Sequence, residues 1–246
     1  MRITAVVLAL VGALCLSTWA AGQADNKQAP QDKGAKDKDL EGWTHEFGED
    51  KADLMSTGRN RFFILEVGYY QILEKGNVRI VIEVLNETKM IDGVECRVVL
   101  ETETKGGKLV EITKDYFVIS KKTNSVYYMG EDVDVYKDGK VTGHPGTWHS
   151  GVKGARYGLM MPGTPLIRGK YYQEVAPGVG MDRAEVVSLS ETLTTKAGTF
   201  KNCLKTEETT PLEPGVKDYK YYAPGVGLVS DSECLLVESG FKKEKK

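Results

Sequence analysis

The stretch Val78-Arg79-Ile80-Val81-Ile82-Glu83-Val84-Leu85 decides the fold class. Val78, Ile80, Ile82 and Val84 alternate with Arg79, Val81, Glu83 and Leu85, the period of a pleated strand with one buried face. The same pattern continues downstream. Cys96, Val98 and Leu100 alternate with Glu95, Arg97, Val99 and Glu101, and Val110, Ile112, Tyr116 and Val118 lie opposite Glu111, Thr113 and Asp115. This reading turns the first set of each strand toward a core and leaves acids such as Glu111 and Asp115 on a solvated face. Gly76-Asn77, Asp92-Gly93, Gly106-Gly107, Asp138-Gly139 and Ala197-Gly198 separate these runs, and glycine supplies the positive φ of tight hairpins. No window carries a long 3.6-residue apolar stripe with caps, so helices are expected to be few and short.

The chain repeats itself in order. Tyr69-Tyr70-Gln71 recurs as Tyr171-Tyr172-Gln173, and at the same offset Gly76 meets Gly178 and Glu83-Val84 meets Glu185-Val186. With small length changes Gly93 meets Gly198, Cys96 meets Cys203, and Lys114-Asp115-Tyr116 meets Lys217-Asp218-Tyr219. A duplicated unit of about 100 residues predicts an all-β protein with one large, curved antiparallel sheet, an open or closed β-barrel. Closing the sheet removes the edges a flat one would expose; a two-sheet sandwich is the second choice. The expected single β domain spans 57–240, with halves 57–130 and 169–240 and an inserted linker at 131–168. The repeat is imperfect at Cys203, whose face is shared with Lys205 and Glu207, so either a bulge shifts the register or the two cysteines point differently.

Composition bounds the function. Of 246 residues, 41% are hydrophobic and 28% charged, with 33 basic against 35 acidic side chains, a balance that argues against a nucleic-acid partner. Residues 1–24 read as a signal peptide: Arg2, the apolar run Ile3–Leu16, then Ala20-Ala21-Gly22-Gln23-Ala24. That run falls short of the roughly 20 residues a membrane-spanning helix needs, so the mature protein is expected not to be transmembrane but exported, periplasmic or extracellular. Residues 25–56 read as a tether and 241–246 as a basic tail. Cys15 leaves with the signal; Cys96, Cys203 and Cys234 remain, an odd number that cannot all pair within one chain.

The linker holds His144-Pro145-Gly146-Thr147-Trp148-His149. It reads as a loop folded over the sheet with Trp148 as an apolar plug, and alternatively as a metal or proton-transfer site on His144 and His149. The acidic run Glu131–Gly139 fails as a calcium loop, since Tyr136 falls at the third ligand position and Pro145 at the twelfth; it reads as a hairpin turning at Asp138-Gly139 with Val133 and Val135 inward. Ala176-Pro177-Gly178-Val179-Gly180 and Ala223-Pro224-Gly225-Val226-Gly227 read as type II turns. No local nucleophile, zinc-protease or nucleotide-loop motif is present, and no cofactor is expected.

Thr57-Gly58, Asn60, Phe62-Phe63, Gly130-Glu131, Trp148, Gly151, Gly154-Ala155, Gly158, Met161-Pro162, Pro165, Tyr172-Gln173-Glu174, Leu212-Glu213-Pro214 and Tyr222–Val229 occur in the order seen in a family of exported bacterial proteins of unknown function, which the chain resembles. It departs from that pattern at Arg61 and Tyr116. The resemblance implies a curved sheet similar to lipoprotein-carrier folds and an envelope compartment, and carries no active site. The leading expectation is a non-enzymatic protein that binds an apolar small molecule, a lipid or an envelope protein in the concavity of its sheet, lined by Tyr69, Tyr70, Tyr171, Tyr172, Trp148 and Met161. The alternatives are a His-based or metal-dependent hydrolase at residues 144–149 and a structural envelope component.

Overall fold

The structure, a computed structural model, describes residues 40–242. The segment read as a signal peptide, the first part of the expected tether and residues 243–246 of the expected tail lie outside the described residues. Strand predominates among the described residues. The helical part is one 3-10 turn at Lys51–Asp53, begun by Asp50, whose carboxylate accepts from the Ala52 amide at 2.9 Å. No described helix is long and apolar enough to cross a membrane.

A short β1 (Leu54–Met55) precedes a hairpin of β2 (Gly58–Asn60) and β3 (Phe63–Leu65). The first half is a meander of β4 (Tyr69–Lys75), β5 (Val78–Ile91), β6 (Val94–Lys105), β7 (Lys108–Ser120) and β8 (Val126–Lys137). Then come β9 (Lys140–Gly143), β10 (Trp148–His149) and β11 (Arg156–Met161). The second half holds β12 (Lys170–Tyr172), β13 (Glu174–Val175), β14 (Arg183–Thr195), β15 (Gly198–Thr209), β16 (Asp218–Ala223), β17 (Gly227–Asp231) and β18 (Cys234–Phe241).

The sheet runs β12-β14-β15-β16-β17-β18-β4-β5-β6-β7-β8-β11-β13, with antiparallel neighbours. One stretch of chain brings its two ends together: Lys170–Tyr172 pairs with β14, while Glu174–Val175 pairs with β11. The sheet therefore nearly closes into a barrel, the first of the two architectures expected. The strands β4, β5, β6 and β7 are followed in the same order by β12, β14, β15 and β16, and the equivalent Val84 and Val186 are both buried. Cys96 and Cys203 break the equivalence, because Cys203 joins the inner core and Cys96 an outer cluster. Asn202 takes a positive φ of 55° and the β14–β15 register shifts three times, which lets Cys203 and Leu204 both be buried. All three described cysteines are buried free thiols.

Four expectations are corrected. Residues 40–56 are a strap rather than a tether: Trp43 packs edge-on against Tyr172, Phe47 against Tyr127 and Tyr157, and Glu49 accepts from Ser120, Thr123 and Tyr127. Phe47 and Leu54 cover an outer apolar cluster of Ile91, Val94, Cys96, Val98, Tyr116, Val118, Tyr127 and Met129. Strands β6, β7 and β8 are thus buried on both faces, and the face read as solvated, carrying Glu101, Glu103, Thr113 and Asp115, is buried too, against the inner core. The tail begins later than expected, as Phe241 ends β18 and the Lys242 amide donates to Gly68. The 131–168 linker is no lid: it starts within β8, turns at Asp138-Gly139 with both φ positive, and gives β10 and β11, which pair with β8.

The β2–β3 hairpin is the element turned inward, with Phe62, Ile64 and Leu65 in the inner core and Phe63 5.1 Å from Phe117. Asn60 clamps it. Its side-chain amide donates to the Asn124 and Pro162 carbonyls at 2.7 and 3.1 Å, and its oxygen accepts from the Phe62 amide. The Ala-Pro-Gly pairs fold as type II turns, with Val179 N–H donating to Ala176, Val226 N–H to Ala223, and φ near 75° at Gly178 and Gly225.

Gly158 on β11 lets the closing stretch approach, since an added methyl group would lie 2.3 Å from the Gln173 carbonyl. Gly158→Ala is expected to cost about 3 kcal/mol by forcing the seam apart, read as a lower denaturant midpoint, whereas Gly48→Ser, in open space and without a positive φ, changes the midpoint far less.

Candidate ligand-binding site in the barrel lumen

Under the β2–β3 hairpin lies a cavity of about 50 Å³. Its walls are Phe63 and Ile64 of the hairpin, Tyr69, Ile82, Val84, Val99, Phe117, Met160, Tyr222 and Leu228, and its polar lining includes Gln71, Glu101 and Asp115. The strand period places these groups. Ile82 pairs with Gln71 across β4–β5, Val99 with Asp115 across β6–β7, and Tyr222 with Leu228 across β16–β17. Gln71 is committed, donating to the Val226 and Leu228 carbonyls at 3.2 and 2.6 Å. Asp115 accepts from the Tyr128 hydroxyl at 2.6 Å. No hydrogen bond reaches the Glu101 carboxyl among the described residues, although Glu101 is only 5% exposed.

Carboxyl groups extend beyond this cavity. Glu101, Glu103, Asp115, Glu131, Glu174 and Asp231 are all buried, against one buried lysine of the lumen, Lys220, 3.0 Å from Glu208 and 3.6 Å from Asp231. Burial disfavours the charge on Lys220, but Asp231 and Glu208 outweigh it and hold the ammonium form well above its ordinary range. The acids go the other way. Burial first, then Asp115, Asp231 and Glu111, push Glu101 well above the carboxylate range. Burial and Glu111 take Glu103 to about 7; burial takes Asp115 to about 7 and Asp231 to about 6, against the pull of Lys220. Charged carboxylates without cations are too costly to bury, so part of the lumen carries protons instead.

The expected lining residues are dispersed. Tyr69 lines the cavity and donates its hydroxyl to the Val226 carbonyl at 2.5 Å. Tyr70 points out to the Glu238 carboxylate at 2.6 Å. Trp148, Met161 and Tyr171 are in the inner core without lining the cavity, and Tyr172 packs in a separate cluster with Val175, Met181 and Trp43. Met160, not Met161, faces the space. His144 Nδ1 is 2.7 Å from Asp134, and His149 Nε2 is 3.0 Å from Asp132, so each histidine has its own carboxylate. Lys89 and Tyr116 also bond Asp132, making a half-exposed polar cluster on the outer face. Among the described residues no group of three or more His, Cys, Asp or Glu side chains is placed to hold a metal ion.

A more open groove of about 320 Å³ lies outside the barrel between His45–Phe47 and Ser150–Tyr157. Several of its polar groups satisfy one another, Ser150 donating to Asp92 and Arg156 pairing with Glu46. The lumen differs in setting the Glu101 and Asp115 carboxyls among apolar walls. Sequence reasoning missed Glu101, Asp115, Phe117 and Tyr222 as site residues; the signal was the alternation Val99-Glu101-Glu103 opposite Thr113-Asp115-Phe117, assigned to the wrong face. Comparison with protein-family models, curated proteins and solved structures finds no match to this chain.

A carboxyl whose pKa is raised in the folded state binds its proton more tightly there than in the unfolded chain. Glu103, Asp115 and Asp231 therefore contribute stability below the ordinary carboxylate range, and lose it as pH rises through about 6 and about 7. Glu74 and Glu207, held low by Arg79 and Lys196 and by Lys217, act oppositely at lower pH, screened at the surface. Urea titrations are expected to give a higher midpoint at about pH 5 than at about pH 8.

Proposed function

We propose that this chain is an exported, non-enzymatic binding barrel that takes an apolar molecule with a cationic or hydrogen-bond-donating head into its lumen. The observation that carries this is the junction of Phe63, Ile82, Val84, Phe117 and Met160 with the Glu101 and Asp115 carboxyls in one cavity. An apolar body gains by leaving water, and a donor head gains by hydrogen-bonding a carboxyl set in a largely apolar wall. A space of about 50 Å³ holds a guest of water size to a few heavy atoms. A longer guest displaces Phe63 and Ile64, so the β2–β3 hairpin acts as the lid. The signal-like N-terminal sequence and the family resemblance support the exported compartment.

Val84→Trp fills the cavity from β5. Titration with a fluorescent alkylamine, monitored by displacement, is expected to show at least about tenfold weaker binding to Val84→Trp than to the native chain, and tighter binding of the alkylamine than of the alkyl sulfate of equal length. Equal binding of both head groups, or native affinity in Val84→Trp with its circular dichroism unchanged, would overturn the reading.

A further inference from the structure

The end of the barrel beside the β2–β3 hairpin is a rim made of chain segments in contact. Phe241, the last residue of β18, lies opposite Tyr69, the first of β4, with their rings 5.1 Å apart. Tyr69 is a wall of the lumen cavity, so Phe241 packs directly behind that wall. The Lys242 amide donates to the Gly68 carbonyl at 2.8 Å, and Val67 precedes that glycine. The hairpin completes the rim. Arg59 of β2 sets its guanidinium 5.9 Å from the centre of the Phe241 ring, and the Arg61 carbonyl accepts from the Gly225 amide at 2.7 Å.

This rim combines exposed apolar groups with cations. Val67 and Phe241 are 41% and 48% exposed. Arg59 pairs with Glu66 at 2.5 Å, Lys242 pairs with Glu83, and Glu238 accepts from the Tyr70 hydroxyl, so the nearby carboxylates are taken. Arg61 is exposed, lies over the Phe62 ring at 5.1 Å and makes no ion pair among the described residues. Lys243-Glu244-Lys245-Lys246 follow Lys242 in the sequence and add three cations against one anion. Two partly exposed apolar side chains fall far short of the roughly 800 Å² a side that a stable protein interface covers. They suit a bilayer, where apolar groups need only enter the boundary between headgroups and acyl chains, and each nearby Lys or Arg adds attraction to anionic headgroups.

We propose that this rim docks on an anionic lipid surface, with Val67 and Phe241 entering the headgroup region while Arg59, Arg61, Lys242 and the lysines that follow engage the lipid phosphates. The hairpin that covers the lumen cavity is then held against the bilayer. The docking stands on these rim residues alone, whatever the lumen takes.

Vesicle flotation without any lumen ligand tests this. The chain used begins at Asp25, which keeps every described residue and removes the apolar run Ile3–Leu16 that would insert by itself. Binding to phosphatidylcholine vesicles with about one-third phosphatidylglycerol is expected to be at least about tenfold tighter than to phosphatidylcholine alone, and to weaken as salt screens it. Arg61→Glu and the double change Val67→Ser/Phe241→Ser should each weaken it by about fivefold or more. Leu212→Ser/Val216→Ser, an exposed apolar pair on the loop entering β16 at the opposite end of the sheet, should keep native binding. Equal binding to both vesicle types, native binding in either rim variant, or an equal loss in Leu212→Ser/Val216→Ser would overturn the proposal. So would a dimer in vesicle-free sedimentation that the double rim change dissolves, which would give the rim to a second copy. If the double rim variant fails to fold, Arg61→Glu decides.

Discussion

Carboxyl groups buried without enough cations constrain this molecule more than any other feature. The lumen holds Glu101, Glu103, Asp115, Glu131, Glu174 and Asp231 with Lys220 between Glu208 and Asp231. Ionised, they would cost far more than a barrel of this size gains from its marginal net stability. Neutral, each is a hydrogen-bond donor as well as an acceptor, and the interior becomes a polar packing problem with a solution. The Tyr128 hydroxyl on Asp115 is one piece of that solution, and Glu101 lines the cavity under the β2–β3 hairpin.

Glycines and turns place those acids. Gly130 takes a φ of 142° on β8, and an added Cβ there would lie 2.4 Å from the Trp148 carbonyl, so the β8–β10 crossing that sets Trp148 beside Glu131 requires glycine. Gly158 does the same where β11 meets Gln173. Asn60, Gly130-Glu131, Trp148, Gly158 and Gln173-Glu174 are thus the hairpin clamp, the strand crossings and the seam by which the barrel is closed.

Much of the architecture was legible in the sequence because alternation and hairpin turns are local. Val78, Ile80, Ile82 and Val84 face one way as their spacing requires, Asp138-Gly139 turns a hairpin, and the Pro-Gly pairs turn as their φ preferences dictate. Which side of β6 and β7 is inside was not legible, because a period of two is symmetric between faces and both faces carry apolar residues. Trp43, Phe47 and Leu54 supply the missing half of that information from a segment whose polar composition reads as a tether. The lumen acids went unrecognised for the same reason: from one strand alone, Asp115 looks like a surface carboxylate. Cys203 needed the positive φ of Asn202, which no alternation predicts.

The strap has a consequence for how the chain can be trimmed. Phe47 and Leu54 roof an aliphatic and aromatic plate on β6–β8 whose far side is already committed to the lumen. Truncation from the N-terminal side past Trp43 strips this cover away. A cut further in would leave the barrel walls standing but bare an apolar exterior prone to self-association before it unfolds.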